Sequence, residues 1–154
     1  MFTSIAIIGR PNVGKSTLFN KLTKTREAIV SDFPGLTKDR NYGYIKLGSI
    51  KSFIIDTGGI GKDESNLSQN ISEQAWMAAN ECNLILFLVD GSENLTSEDF
   101  DILSSLRKLN KPFITLLNKS DKSSKSEALN DISSKGIKDY LDISAEHSRG
   151  LDDL

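Results

Sequence analysis

Near its start the chain carries an octapeptide suited to binding phosphate groups. Residues 9–16 read GRPNVGKS and match the pattern G-x-x-x-x-G-K-S/T, between an apolar run and an amphipathic stretch. The glycines let successive backbone N–H groups point at phosphate oxygens, and the helix that follows adds the positive end of its dipole. We expect Lys15 to reach the β- and γ-phosphates and the Ser16 hydroxyl to ligate Mg²⁺. The alternative, a glycine-rich turn with an exposed lysine, does not account for this strand–loop–helix context.

A second candidate segment, Asp56-Thr57-Gly58-Gly59, follows an apolar run that ends at Ile55. A carboxylate at the end of a strand could hold Mg²⁺ through water, and the N–H of Gly59 could contact a γ-phosphate at close range. Asp and Gly are common turn residues, so these four residues alone are weak evidence. The phosphate-binding pattern upstream makes the functional interpretation the preferred one.

Two further segments could recognise a purine base. After a later apolar run, Asn118, Lys119 and Asp121 stand close together. The Asp121 carboxylate could accept paired hydrogen bonds from N1–H and the N2 amino group of guanine, which adenine does not offer. Asn118 would tie this loop to the phosphate-binding loop or to the base, and the stem of Lys119 could lie over the purine face. Residues 144–146 read SAE and would place the Ala145 N–H near guanine O6.

The hydrophobic pattern predicts the elements that hold these segments in place. Apolar runs predict strands at residues 5–8, 53–55, 84–89, 113–117 and 141–143, and an alternating run predicts an edge strand at 42–48. Amphipathic stretches predict helices at 16–24, 71–82, 97–109 and 127–135, with a capping pattern at Thr96 to Asp99 and a stop at Gly136. This alternation predicts a three-layer α/β/α fold, a six-stranded mostly parallel sheet with one antiparallel edge strand and about five helices. Ligands of such sheets bind beyond the carboxyl ends of the strands, where all four motifs lie.

Composition and charge disfavour several other classes. Nineteen Lys+Arg against 21 Asp+Glu leave a net charge of -2, unlike a protein that mainly neutralises nucleic-acid phosphates. The longest strongly apolar run, residues 84–89, is far shorter than the ~20 residues of a membrane-spanning helix, and the N-terminus lacks the basic start of a secretory leader. The single cysteine, Cys82, cannot form an internal disulfide, and we expect it to pack in the core. We therefore expect a soluble, cytoplasmic protein with one domain over residues 1–154.

In this order the four motifs form the series that is typical of translation-factor-related GTPases. The chain resembles the Der (EngA) GTPases, specifically the first of their two tandem G domains, at residues 9–20, 28–30, 34–43, 56–59 and 144–147. The resemblance implies a P-loop G domain that binds GTP·Mg²⁺ and hydrolyses it to GDP and phosphate as a molecular switch. It also implies a role in biogenesis of the large ribosomal subunit, with contacts made mainly outside this chain and no sequence-specific nucleic-acid binding by it. Because family members carry a second G domain and a KH-like domain, we expect an N-terminal piece of a longer protein.

The resemblance also implies roles for individual residues. Thr37 matches a switch I threonine that ligates Mg²⁺ and contacts the γ-phosphate, and Asn12 matches an asparagine that helps to bind potassium in related GTPases. The predicted catalytic residues are therefore Lys15, Thr37, Gly59 and Asn12, and the predicted Mg²⁺ ligands are Ser16, Thr37 and Asp56. The predicted nucleotide-binding residues are Gly9, Arg10, Pro11, Asn12, Val13, Gly14, Lys15, Ser16, Thr17, Asp56, Thr57, Gly58, Gly59, Asn118, Lys119, Asp121, Ser144, Ala145 and Glu146.

One position leaves the mechanism of hydrolysis open. Ile60 stands where Ras-like proteins place the glutamine that positions the attacking water. Isoleucine neither donates nor accepts a side-chain hydrogen bond, so we expect slow hydrolysis in which a potassium ion near Asn12 offsets charge between the β- and γ-phosphates. A group supplied by a partner is the rival explanation. A nucleotide-binding module with negligible hydrolysis and an ATP-using enzyme are the alternative functions, and Asp121 argues against ATP.

Overall fold

The computed structural model describes residues 2–24, 41–47, 49–57, 73–119, 125–151 and 154. Within these ranges strands and helices alternate along the chain. They are β1 (Phe2–Ile8), α1 (Lys15–Lys24), β2 (Asn41–Leu47), β3 (Ile50–Asp56), α2 (Glu73–Glu81), β4 (Leu84–Asp90), α3 (Ser97–Lys108), β5 (Phe113–Asn118), α4 (Lys125–Ser134) and β6 (Tyr140–Asp142). The described part of the chain thus contains four helices, against the prediction of about five. Thr37, Gly58, Gly59, Ile60 and Asp121 lie outside the described residues.

The six strands form one sheet in the order β2-β3-β1-β4-β5-β6. Every neighbouring pair is parallel except β2 and β3, which form an antiparallel hairpin in which Tyr42 lies opposite Ile55. The predicted mostly parallel sheet with one antiparallel edge strand is therefore confirmed. Because the parallel strands share one direction, the carboxyl ends of β1, β3, β5 and β6 meet at one edge of the sheet, which we call the C-terminal edge.

Helices cover the sheet on both faces, which explains why its central strands are continuously apolar. In β1, Ile5 and Ile7 pack with Leu18 and Phe19 of α1, whereas Ala6 and Ile8 belong to a second core cluster that includes residues of α3 and α4. The same division separates alternate residues of β4, and all of its residues from Ile85 to Asp90 are buried. A parallel strand that is buried on both faces needs no polar alternation, as the three-layer prediction requires.

Local signals in the sequence mark the helix ends closely. Thr96 caps α3, because its hydroxyl accepts from the Asp99 N–H and the Asp99 carboxylate accepts from the Thr96 N–H, which confirms the predicted capping box. Gly136, with a φ of 73°, follows α4 as predicted. The helix predicted over residues 71–82 is α2, which ends before the buried Cys82. None of the helices in the described ranges has the length and hydropathy needed to cross a membrane.

The edge of the sheet opposite the motifs is closed by hydrogen bonds between strand starts and loops. The Ser4 N–H donates to Asn83 Oδ1 at 2.9 Å, and the Asn83 N–H donates to the Ser4 carbonyl at 2.9 Å. Lys111 Nζ donates to the Cys82 carbonyl at 2.8 Å. These contacts join β1 to the α2–β4 connection and that connection to the start of β5.

Candidate nucleotide-binding site

The loop between β1 and α1, which we call the phosphate loop (residues 9–14), has a backbone that its glycines permit. Gly14 has a φ of 105°, and a Cβ there would lie 2.3 Å from Asn118 Nδ2. A Cβ on Gly9 would lie 2.6 Å from the carbonyl oxygen of Leu88 on β4. The side chain of Val13 is buried in the core and fixes the middle of the loop. Side chains at either glycine would therefore push the loop away from the sheet.

Lys15, the first residue of α1, extends back across the phosphate loop. Its Nζ donates to the carbonyl of Gly9 at 2.5 Å and to the carbonyl of Arg10 at 3.0 Å. The ammonium group thus lies against the loop that is predicted to surround phosphates. Carbonyl oxygens are neutral acceptors, and a phosphate that replaces them forms the stronger charge-assisted hydrogen bond.

The two predicted Mg²⁺ ligands in the described residues are in contact. Ser16 Oγ on α1 donates to Asp56 Oδ2 at the end of β3 at 2.8 Å, and Asp56 is buried. No group of three or more His, Cys, Asp or Glu side chains in the described ranges could hold a metal ion by itself. A hydroxyl and one carboxylate are hard oxygen donors, and Mg²⁺ takes one or two carboxylates and completes its shell with phosphate and water. The donor set therefore fits a magnesium ion that arrives with a nucleotide.

The next predicted residue, Thr57, has a structural contact. Its buried hydroxyl donates to the carbonyl of Ile7 at 2.6 Å and so ties the end of β3 to β1. This bond fixes the backbone on which Asp56 stands. A nucleotide contact by Thr57 stays a prediction.

Asn118, the last residue of β5, joins the phosphate loop to the segment after β6. Its Nδ2 donates to the carbonyl of Val13 at 2.8 Å, and its Oδ1 accepts the N–H of Ala145 at 2.9 Å. The residue is buried, with 3% of its surface exposed. The predicted tie to the phosphate loop is confirmed. The Ala145 N–H is used within the protein, so its predicted contact with guanine O6 stays a prediction.

Lys119 connects the same region to β4, and it does so through a residue that the sequence interpretation missed. Its Nζ lies 3.0 Å from Asp90 Oδ2 at the end of β4 and donates to the Asn12 carbonyl at 3.3 Å. Burial raises the pKa of the Asp90 carboxyl, but hydrogen bonds from Ser92 and the charge of Lys119 outweigh it, so that this pKa is lowered overall. Asp90 therefore stays ionised beside Lys119. Its position at the carboxyl end of a buried strand is the signal that could have identified it.

Arg10 has two acidic partners that the sequence interpretation also missed. Its Nε lies 3.3 Å from Oδ2 of the fully buried Asp99, and its Nη2 donates to Glu93. Burial lowers the pKa of the Arg10 guanidinium, and the two carboxylates more than compensate, so that the pKa is raised overall. The capping pattern indicates only the helix-cap role of Asp99, whereas this residue also carries the ion pair with Arg10.

The remaining predicted residues differ in their surroundings. Ser144 is buried, and its backbone N–H and carbonyl pair with Arg149, which closes the loop that carries Ala145. Glu146 is exposed beyond that loop. The exposed residues of the phosphate loop and of the first turn of α1 are Pro11, Asn12, Ser16 and Thr17. The described motif residues from β1, β3, β5 and β6 thus all lie at the C-terminal edge of the sheet.

Comparison with known proteins places this geometry in a family. The family described as 50S ribosome-binding GTPase matches residues 4–119. GTPase Der of Legionella pneumophila (strain Corby) is 49% identical over 154 residues, which cover 100% of this chain and 33% of that protein. GTPase Der of Xanthomonas campestris pv. campestris (strain B100) is 47% identical over 155 residues, with the same coverage. The chain spans about a third, 33%, of the length of these curated relatives.

A solved structure shares both the fold and part of the sequence. Era in complex with MgGDPNP and a segment of 16S ribosomal RNA is similar with a TM-score of 0.77 and 32% identity. The match covers 99% of this chain and 54% of that Era chain. The fold described above is therefore one that also occurs in a protein crystallised with a magnesium-bound nucleotide.

Proposed function

The chain belongs to the 50S ribosome-binding GTPase family, and from this premise we propose that it is a G domain that binds GTP·Mg²⁺ and hydrolyses it to GDP and phosphate. Water attacks the γ-phosphorus, and the state of the nucleotide then sets the conformation of the segments around Thr37 and Gly59. The observation that carries the proposal is the position of Asn118. Its carboxamide joins the phosphate loop to the loop of Ala145, so that one buried side chain links the predicted phosphate and guanine contacts.

The predicted site residues have defined tasks in this proposal. The Lys15 ammonium moves from the carbonyls of Gly9 and Arg10 to the β- and γ-phosphates and neutralises their charge. Ser16 would ligate a magnesium ion directly and Asp56 would hold it through water. The distance of 2.8 Å between Ser16 Oγ and Asp56 Oδ2 supports this assignment. Bound Mg²⁺ supplies Lewis-acid stabilisation of the charge on the transferred phosphoryl group. Asp121 supplies the preference for guanine.

Binding is tested by calorimetry with GDP and with a slowly hydrolysed GTP analogue in the presence of magnesium. We expect both to bind, ATP to compete weakly, and Lys15→Gln to lower GDP affinity at least about tenfold, because a charge-assisted contact is lost. Lys111→Gln is the matched control, since Lys111 also donates to a backbone carbonyl but at the opposite edge of the sheet. Absence of heat on GDP addition, or equal competition by ATP and GTP, would refute the guanine-nucleotide assignment.

We further propose that a potassium ion near Asn12 assists hydrolysis, because Ile60 cannot orient water. Asn12 supports this proposal by its exposed position in the phosphate loop and its φ of 68°. The test compares GTP turnover in potassium and sodium chloride at equal ionic strength. Asn12→Gly removes the carboxamide but tolerates the positive φ, so it should abolish the difference between the two salts. Equal turnover of the unmodified protein in both salts contradicts the proposal and favours a group supplied by a partner or a binding module with negligible hydrolysis.

The partner that we propose is the large ribosomal subunit or its precursor, which the family description supports. We also propose that the protein acts in the cytoplasm. Since the chain covers 33% of those relatives, we propose that most of the ribosome contact is made by other parts of the protein. Cosedimentation of the full-length protein with large subunits, with a GTP analogue and with GDP, tests this partner. Binding that is equal to small subunits and independent of the nucleotide would contradict it.

A further inference from the structure

The segment from Asp90 to Asp99, which we call the β4–α3 segment, contacts the base-recognition side of the site at its start. The Gly91 N–H donates to the Asn118 carbonyl at 2.6 Å, and Asp90 Oδ2 lies 3.0 Å from Lys119 Nζ. A Cβ on Gly91 would lie 2.7 Å from the same Asn118 carbonyl, so the close approach requires glycine. The first turn of the segment is thus held directly against the end of β5, at Asn118 and Lys119.

The same segment contacts the phosphate side of the site at its other end. Asp99 is fully buried, and its Oδ2 accepts from the Thr96 N–H at 2.9 Å and the Thr96 hydroxyl at 3.1 Å, which fix its orientation. That oxygen also contacts Arg10 Nε at 3.3 Å, and Glu93 is the second acceptor of the guanidinium. The Arg10 carbonyl in turn accepts from Lys15 Nζ at 3.0 Å.

The segment is anchored independently of the nucleotide site. The Leu95 N–H, in its middle, donates to Asp131 Oδ2 of α4 at 2.9 Å, and the Leu95 side chain is buried in the core. A short connection fixed to two helices and the core is a rigid support for whatever it contacts. Its two groups of contacts reach two different loops of the site.

We propose that the β4–α3 segment pre-organises both nucleotide-binding loops, with Asp99 and Asp90 as positioning residues, and thereby sets the rate of nucleotide release. This inference rests on the proposed function. Asp99 acts through Arg10 on the phosphate loop, and Asp90 acts through Lys119 on the predicted guanine-binding residues that begin at Asn118. Neither carboxylate touches the nucleotide. Loss of either link leaves the site to be ordered by the nucleotide itself, which weakens binding.

The two links have different signatures, because guanosine has a base but no phosphate. Breaking the Arg10–Asp99 link should weaken GDP and leave guanosine unchanged, whereas breaking the Asp90–Lys119 link should weaken both. A general loss of stability would weaken both ligands in every variant. The ratio of GDP affinity to guanosine affinity therefore separates positioning from a merely structural role for the Arg10–Asp99 link.

The experiment measures release of a fluorescent GDP derivative during a chase with unlabelled GDP, and guanosine affinity by competition. We expect Arg10→Gln and Asp99→Asn each to accelerate GDP release about tenfold, and the double variant to add little, since both remove one charged hydrogen-bonded pair. Arg10→Lys should restore part of the effect, because an ammonium group can pair with one carboxylate but does not provide the guanidinium fork. Asp90→Asn should weaken GDP and guanosine by the same factor, about fivefold.

Matched controls use residues of the same types elsewhere. Arg107→Gln removes an arginine of α3 that donates to the carbonyl of Lys135, just after α4. Asp139→Asn removes an exposed carboxylate before β6. Neither substitution should change GDP release. Release rates of the Arg10 and Asp99 variants within twofold of the unmodified protein would overturn the inference, as would equal losses of GDP and guanosine affinity in those variants. An unmodified protein that binds no GDP would instead overturn the proposed function itself.

Discussion

Replacement of Asn118 by alanine tests the residue that connects the phosphate loop to the segment after β6. The substitution removes the donor to the Val13 carbonyl and the acceptor of the Ala145 N–H. Because Asn118 is only 3% exposed, both partner groups lose their hydrogen bond at a buried position. A buried polar group left without its hydrogen bond costs about 1–3 kcal/mol, so two such groups give a loss of about 2–6 kcal/mol. That is a large part of the roughly 5–15 kcal/mol by which a domain of this kind is stable.

The assay is urea unfolding followed through the fluorescence of Trp76, the single tryptophan of the chain. Asn83→Ala is the matched control, because Asn83 Oδ1 also accepts a backbone N–H, that of Ser4, but at an exposed position where water replaces it. We expect the control to lose less than about 1 kcal/mol and to keep its affinity for GDP. Asn118→Ala should also lose GDP affinity at least tenfold. Equal losses of unfolding free energy in the two variants would refute the claim that the two buried hydrogen bonds of Asn118 stabilise the fold.

Three further substitutions test other parts of the site. Gly14 has a φ of 105°, and an added Cβ would lie 2.3 Å from Asn118 Nδ2, whereas Gly136 has a φ of 73° and its added Cβ would lie 3.9 Å from Arg107 Nη2. Gly14→Ala should therefore lower the melting temperature by more than Gly136→Ala. Equal shifts in a thermal scan would contradict the steric argument. The pKa of Asp90 is lowered in the folded state, so its contribution to stability is present above the unfolded pKa of about 3.9 and is lost as pH falls through the folded value. Asp90→Asn should therefore flatten the dependence of unfolding free energy on pH in that acidic range. Parallel curves for the variant and the unmodified protein would exclude a stabilising role of the ionised Asp90. Magnesium should strengthen GDP binding, measured as the ratio of GDP affinity in Mg²⁺ to GDP affinity in EDTA. Ser16→Ala should lower this ratio about tenfold while the affinity in EDTA stays the same. An unchanged ratio would exclude Ser16 as a ligand of the metal.

The sequence was sufficient to predict the scaffold, because its physical signals are local. The continuous apolar run of residues 84–89 predicted a strand buried on both faces, and β4 is that strand. Thr96 and Asp99 predicted the start of α3 through a hydrogen-bonding pattern that closes within one turn. Placement of the motifs at the C-terminal edge followed from the strand directions alone.

Contacts between distant parts of the chain were predicted less completely. The Arg10–Asp99 pair joins residues 89 positions apart, and Asp90–Lys119 joins residues 29 apart, so no local pattern indicates either pair. Asn118 was expected to contact either the phosphate loop or the base, and only the folded geometry shows the bonds to Val13 and Ala145. The motif predicts Thr57 at the nucleotide but does not indicate the contact of its hydroxyl with the Ile7 carbonyl, which only the folded structure shows. Such choices depend on which group lies within about 3 Å after folding.

The opposite edge of the sheet, where Ser4 pairs with Asn83 and Lys111 with Cys82, bears none of the four motifs. One end of the strands thus carries the chemistry, while the far end serves to close the fold. A dye or surface tether attached to exposed Asn83 would therefore sit a full strand length from bound nucleotide. Single-molecule observation of nucleotide exchange could use that attachment point with little disturbance of the loops being watched.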